Sequence, residues 1–319
     1  MSLVLVTGGA GFIGSHIVRR LLSLGHEPRV LDNFSSGRRE NIADIAAQFE
    51  LIEGDIRVPA DCERAADGVE VILHLGAIPS VPRSVDEPRD SHDANATGTF
   101  NILMAAKKTG VKRVVYSASS AAYGDTPTLP KVETMTPAPL SPYAVAKLAG
   151  EHYCSCFAGV YGLETISLRY FNVFGARQDP NSQYAAVIPA FVTRMLAGQR
   201  PIVFGDGEHS RDFCYIDNVV AANLLAAGIL PPAGGLEKLS GEVVNIACGD
   251  RISLNRIIAR INELIGSDLQ PDYQAPRAGD VKHSLADISE AKRVIGYEPK
   301  IMFDEGLQLS IEWFKQSAC

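Results

Sequence analysis

Leu3-Val4-Leu5-Val6-Thr7-Gly8-Gly9-Ala10-Gly11-Phe12-Ile13-Gly14 is the stretch that decides the fold. Its first half is an apolar, strand-like run. Its second half turns into a helix whose Ile13, Ile17, Leu21 and Leu24 recur at three- and four-residue spacing until Gly25 stops it. Glycines at 8, 11 and 14 let the backbone turn tightly, approach a pyrophosphate and pack the helix on the sheet. The helix N-terminus then offers amide donors and a positive dipole end. Asp32 follows Gly14 by 18 residues, at the end of a second strand. A carboxylate there accepts from both hydroxyls of an adenosine ribose. Its charge opposes a 2′-phosphate, so the cofactor expected is NAD rather than NADP. Arg38 and Arg39 would suit a 2′-phosphate, but they read as a solvated helix start.

Outward from this run, strand and helix signals alternate. Strand-like runs lie at Leu3–Thr7, Arg29–Asp32, Phe49–Glu53, Val69–Leu75, Arg113–Ser117 and Thr165–Tyr170. Helical patterns fall between them, one over about 93–109 ended by Gly110, another from Ser141-Pro142 to about 159. Alternation of this kind argues for an α/β fold, a Rossmann-type doubly wound parallel sheet. After residue 172 strands shorten and loop signals multiply (Asp179-Pro180-Asn181, Gly205-Asp206-Gly207, Gly234-Gly235). The expected organisation is a dinucleotide-binding domain over 1–172. Residues 173–319 form mainly a smaller α/β substrate domain, with segments interleaved back into the first.

Tyr143-Ala144-Val145-Ala146-Lys147 places a phenol and an ammonium one helical turn apart on one face. A nearby cation stabilises phenolate, so the pair is expected to lower the Tyr143 pKa and make it a proton acceptor for an alcohol. By itself Tyr-x-x-x-Lys is an ordinary helix surface. Upstream, however, Ser117, Ser119 and Ser120 end a strand at the carboxyl edge of the sheet, where ligands bind in doubly wound folds. A serine hydroxyl there can hold the reacting oxygen.

Composition narrows the function classes. The 319 residues carry 30 basic and 37 acidic side chains, a net charge of −7, which offers no global attraction for nucleic acid. No apolar run approaches the roughly 18 residues of a membrane span. The N-terminal run is too short for the apolar core of a signal peptide. Six cysteines are scattered, and Cys154 and Cys156 lack a second Cys/His pair at zinc spacing. They read as reduced thiols of a cytoplasmic chain, and no metal is expected.

With these motifs assembled, the chain closely resembles the extended short-chain dehydrogenase/reductase family, specifically its UDP-sugar 4-epimerases, over essentially its whole length. The resemblance implies an NAD-dependent isomerase with a UDP-sugar substrate and a homodimeric assembly. It makes Ser119, Tyr143 and Lys147 catalytic. It assigns the cofactor to Gly8, Gly11, Phe12, Ile13, Gly14, Asp32 and Asn33, to Asp55 and Ile56 of Gly54-Asp55-Ile56, and to Leu75 and Ala77 of His74-Leu75-Gly76-Ala77. Asn95, in Asn-x-x-Gly-Thr, joins that set, together with Tyr143 and Lys147.

For the substrate, the resemblance points to Ser80, Ser119, Ser120, Asn172 (in Arg169-Tyr170-Phe171-Asn172), Gln178, Val187, Arg211, Arg277, Asp280 and Ser284. The two arginines match the family's diphosphate-binding pair, which suits an acidic chain because guanidinium groups offset a diphosphate locally. Dehydratases resembling these enzymes carry an Asp-Glu pair after the polarising hydroxyl, and decarboxylases a Glu. Ser119-Ser120-Ala121 has neither. Gly175-Ala176-Arg177-Gln178-Asp179-Pro180-Asn181 and Tyr184–Pro189 look like the branch acting on N-acetylated UDP-hexoses. Ser284 stands where epimerases restricted to unsubstituted hexoses carry a bulky Tyr. Pro79-Ser80 departs from the Gly-Ser of that branch.

Overall fold

The computed structural model describes residues 2–180, 187–231, 234–276 and 282–317. Seven strands build the central sheet: β1 (Leu3–Thr7), β2 (Glu27–Asp32), β3 (Glu50–Glu53), β4 (Val71–His74), β5 (Arg113–Ser119), β6 (Glu164–Tyr170) and β7 (Glu242–Ile246). Their order is β7-β6-β5-β4-β1-β2-β3, and every neighbouring pair is parallel. The chain runs outward from β1 to β3 and then returns to β4 on the other side of β1. This reversal opens a crevice at the carboxyl ends of β1 and β4.

Helices cover both faces, so the middle strands are apolar throughout rather than alternating. Val4, Leu5 and Val6 are all fully buried. Val4 and Val6 face a core shared with Ile17 and Leu21 of the Phe12–Ser23 helix and with the Ile216–Ala226 helix. Leu5 faces the opposite core, with Ile72, Ile102 and Val114.

Six of the sheet strands lie where the sequence predicts them, within a few residues at their ends. The seventh, Glu242–Ile246, comes from the second half of the chain and pairs with β6. The helix expected over 93–109 begins differently. Asp93–Thr97 is a π-helical turn leading into the α-helix Gly98–Thr109, which Gly110 ends at φ 77°. The widened turn frames Asn95, whose side chain is fully occupied, as described below. The Pro142–Tyr161 helix starts on Ser141, whose Oγ accepts from Ala144 N at 3.2 Å, and Pro142 follows at the first helical position.

Among the described residues, three two-stranded pairs lie outside the main sheet: Val173–Phe174 with Cys214–Tyr215, Ser210–Arg211 with Ile252–Ser253, and Ile202–Phe204 with Asp272–Gln274. Asp212 staples this region together. Its fully buried carboxylate accepts from Cys248 N at 2.9 Å, Gly249 N at 3.0 Å and Ala286 N at 3.2 Å.

Candidate active site

A cleft of about 960 Å³ opens at the crevice. The glycine run forms its floor. Gly8 has φ 69°, and Gly11 N donates to Gly8 O at 3.0 Å. A Cβ on Gly14 would stand 2.2 Å from Gly8 O, so no other residue fits there. Asp32 is 6% exposed. Its carboxylate accepts from Ala10 N at 2.9 Å and Phe34 N at 2.8 Å, and burial raises its pKa against the pull of those two amides. Each oxygen keeps a lone pair for a ligand hydroxyl. Asn33 Nδ2 donates to Asp55 Oδ2 at 2.9 Å, which draws the second and third strand ends into one wall. A glycine cradle at a helix start, followed by a half-open carboxylate, fits a dinucleotide.

The loop after β4 is held from behind. Thr99 Oγ1 donates to Asn95 O at 2.7 Å, which commits its only proton. Its contact with His74 Nε2 at 3.1 Å therefore has the imidazole as donor. His74 Nδ1 is then an acceptor, taking the Thr7 hydroxyl proton at 2.7 Å, while Thr7 Oγ1 accepts from Gly76 N at 3.0 Å. Burial, followed by the Lys147 charge, lowers the His74 pKa to about 3, so the ring is neutral. Asn95 completes the clamp. Its Oδ1 accepts from Ile78 N at 2.8 Å, and its Nδ2 donates to Ile78 O at 3.1 Å and Ser91 Oγ at 3.3 Å. Leu75, Gly76, Ala77 and Ile78 are thereby presented to the cleft.

Tyr143 and Lys147 enter from the Pro142–Tyr161 helix. Lys147 is buried, and its Nζ donates to Ser117 O at 2.8 Å. Burial lowers its pKa to about 8, with Glu151 opposing. The expected lowering of the Tyr143 pKa is not found. Burial raises it, and hydrogen bonding with Ser119 is what works against the rise. The ammonium is turned to the Ser117 carbonyl rather than to the phenol. Beside it, Ser117 Oγ and Tyr170 OH are 3.0 Å apart, and Tyr170 OH donates to Asn223 Oδ1 at 2.9 Å.

Of the residues expected from sequence, the cleft wall includes Gly8, Gly11, Phe12, Ile13, Gly14, Asp32, Asn33, Asp55, Ile56, Leu75, Ala77, Ser80, Tyr143, Lys147, Asn172 and Gln178. Ser119 hydrogen-bonds with Tyr143, and Ser120 begins the 3₁₀ turn Ser120–Tyr123. Asn95 is fully buried and grips the wall rather than forming it. Ser80 Oγ accepts from Arg83 N at 3.1 Å and so caps the short helix Val81–Asp86. Asn172 Nδ2 donates to Asp212 O at 3.0 Å and Ser284 Oγ at 3.3 Å, which sets Ser284 against the wall. Gln178 Nε2 donates to Val173 O at 3.1 Å. Arg211 Nη1 donates to Lys282 O at 3.0 Å, and Val187 begins the helix Val187–Leu196. Arg277 and Asp280 lie outside the described residues.

A model of the NAD dependent epimerase/dehydratase family matches residues 4–247, a span that includes the glycine cradle, Asp32, Ser119, Tyr143 and Lys147. The chain belongs to that family. The match carries with it the extended short-chain dehydrogenase/reductase fold and NAD as cofactor. The chain is 39% identical to a UDP-glucose 4-epimerase of Mycolicibacterium smegmatis, over 98% of its own length and 99% of the relative's. Two similar solved structures are each 40% identical with a TM-score of 0.92. One is a UDP-N-acetylglucosamine 4-epimerase from Methanobrevibacter ruminantium M1 in complex with UDP-N-acetylmuramic acid, covering 99% of both chains. The other is a UDP-glucose 4-epimerase from Thermotoga maritima with UDP-glucose, covering 99% of this chain and 100% of that one.

Within this epimerase-family cleft, Ser117 lines the wall as one of the three serines the sequence offered, while sequence reasoning gave no site role to Tyr170, Arg38, Arg83 and Arg177. Arg38 is not simply a solvated helix start. It lines the cleft and pairs with Glu40 and Asp179, each at 3.5 Å. Tyr170 was within reach of sequence, because it ends a parallel strand at the ligand-binding edge, paired with Ser119.

Proposed function

We propose that this NAD-dependent UDP-sugar 4-epimerase acts preferentially on UDP-N-acetylhexosamines, interconverting the gluco and galacto epimers. The observation that carries the preference is Ser284, a small residue whose Oγ lies 3.3 Å from Nδ2 of the wall residue Asn172. A hydroxymethyl there leaves room for an acetamido group that a ring would fill. Relatives named for either substrate stand at the same 40% identity, so the discrimination rests on local geometry.

Tyr143 takes the proton of the sugar 4-hydroxyl, and Ser119 holds that oxygen. Lys147 braces the helix start against β5 through the Ser117 carbonyl and so sets the spacing between Tyr143 and Ser119. The glycine cradle and Asp32 would hold NAD, which would supply reversible hydride acceptance at C4 and a cationic ring that favours the Tyr143 phenolate. The 4-keto sugar turns about its diphosphate link while Asn172, Arg211 and Arg277 hold the nucleotide. In this scheme 1–172 serve the cofactor and 173–319 mainly the sugar nucleotide. The test is to incubate the protein separately with UDP-glucose and UDP-N-acetylglucosamine and resolve the epimers. Faster turnover of UDP-glucose at equal concentration would overturn the preference.

The same reading takes the chain as a cytoplasmic homodimer. Phe100 and Met104 on the Gly98–Thr109 helix, and Tyr153, Val160 and Tyr161 on the Pro142–Tyr161 helix, are exposed on neighbouring helices. The Phe100 and Tyr153 rings already pack together, tilted, with centroids 5.2 Å apart, forming an apolar face suited to a second copy. Light scattering on the holoenzyme reads its mass. A monomer at micromolar concentration would reject the dimer.

A further inference from the structure

We propose that Arg177 binds the diphosphate of the bound dinucleotide, carried by a strap, Ala176–Asp179, that is tied to both sides of the glycine cradle and slows cofactor release. The inference rests on reading this cleft as the NAD site. On one side, His16 Nε2 donates to Ala176 O at 2.9 Å. His16 lies early in the Phe12–Ser23 helix, whose N-terminus faces the expected diphosphate. On the other side, Asp179 pairs with Arg38 at 3.5 Å, and Arg38 N donates to Ala10 O at 2.9 Å inside the glycine run. The strap thus crosses from the helix end of the cradle to its loop end.

Arg177 sits between these ties with φ 63°, a left-handed conformation that is strained for a side chain of its size. It lines the cleft. It has no hydrogen-bond or ion-pair partner among the described residues. Its charge is disfavoured by burial and by the nearby Arg19, which lowers its pKa, while Asp44 opposes. His16 is kept neutral for the same reasons, its pKa lowered to about 4 by burial and then by Arg177 and Arg19, so its ring donates without adding charge. A strained, half-buried cation in the cleft that holds a helix N-terminus calls for an anion. The dinucleotide diphosphate is the one this cradle is built to place. The reaction gains from such a strap, because the hydride leaves and returns within one binding event and the cofactor need not exchange.

The test uses the holoenzyme loaded with labelled NAD, chased with excess unlabelled NAD, and reads the dissociation rate directly. Arg177→Gln is expected to release NAD about tenfold to a hundredfold faster, the usual consequence of losing a charged hydrogen-bond partner. Arg177→Lys restores most of the retention. Asp179→Asn, which leaves Arg177 in place but loosens the strap, shows an intermediate rate. Affinity for UDP, measured on the same NAD-saturated variants, stays within about twofold of wild type because Asn172 and Arg211, read as its contacts, lie outside the strap and Gln178 is left unchanged. An unchanged NAD release rate in Arg177→Gln overturns the proposal. So does weakened UDP binding with normal NAD release, which would give Arg177 to the sugar nucleotide. Neither readout depends on which sugar is turned over, so failure of the substrate assignment leaves this test intact.

Discussion

The Lys147 ammonium donates to the Ser117 carbonyl oxygen at 2.8 Å, pinning the first turns of the Pro142–Tyr161 helix to the end of β5. The bond fixes the spacing between the helix that carries Tyr143 and the strand that carries Ser119. It also fixes a charge in a buried place, and burial brings the Lys147 pKa down from 10.5 to about 8.

Activity is therefore expected to fall above about pH 8, as Lys147 loses the proton that orients the site. Stability moves the other way through this group. Its folded pKa lies below the unfolded one, so between these values the unfolded chain binds more protons and folding gains as pH rises. A pH profile of kcat/KM and a thermal-melt series across pH 7 to 10 separate the two. A profile flat through about pH 9 would mean that the Lys147 charge is not required.

Tyr143→Phe removes only the phenolic oxygen. Folding and NAD binding should survive while kcat falls by at least about 10²-fold, the usual worth of a general base. Near-normal turnover in the variant would remove Tyr143 from the proton transfer.

Ser284→Tyr places a ring beside Asn172. Overpacking a fitted site costs about 1–3 kcal/mol, so kcat/KM for UDP-N-acetylglucosamine should drop roughly tenfold to a hundredfold. UDP-glucose, with only a hydroxyl at C2, should be spared. The readout is the ratio of the two constants in variant and wild type. An unchanged ratio would leave Ser284 a purely structural partner of Asn172 and the Ser210 carbonyl.

His74→Gln breaks the bridge between Thr7 and Thr99 and should cost about 1–3 kcal/mol through unpaired buried hydroxyls. NAD should bind more weakly, because the Gly76 amide loses its orientation. In the wild type, ¹⁵N shifts of His74 should show a bare Nδ1 and a protonated Nε2, unchanged from pH 5 to about 9. Its folded pKa of about 3 lies below the unfolded 6.5. The contribution of this ring is thus complete above pH 6.5 and drains away as acid approaches the lower value. Titration of the His74 shifts near neutrality would refute the network.

The first half of the fold was legible because each piece announces itself locally. Val4, Leu5 and Val6 read as a buried strand, Gly14 can be nothing larger, and Asp32 ends the next strand. β7 was not, since Glu-Val-Val-Asn-Ile is short and stands among loop signals. Only its pairing with β6 makes it a sheet strand. Asn95 was legible as part of a motif but not in its role, because a buried amide looks the same in sequence whether it touches a ligand or holds the loop that does. The charge relation of Tyr143 and Lys147 was misread for a similar reason. Helical spacing places the two on one face, while the Ser117 carbonyl that captures the ammonium comes from a distant strand. Arg177 owes its place to a left-handed turn and to the tie of its neighbour Ala176 with His16, 160 residues away.

The pairing of β7 with β6 bears on how the molecule is made. Phe171 N donates to Ile246 O at 3.0 Å, so the backbone leading to Asn172 takes its final course only beside that late strand. While the nascent chain is still short of Ile246, β6 is a naked sheet edge able to recruit any passing strand. The sheet built by the first 170 residues gains its last border only after the ribosome has delivered the chain through Ile246. The order of synthesis and the order of assembly therefore differ, and a fragment truncated between Tyr170 and Glu242 should need a chaperone more than the intact chain does.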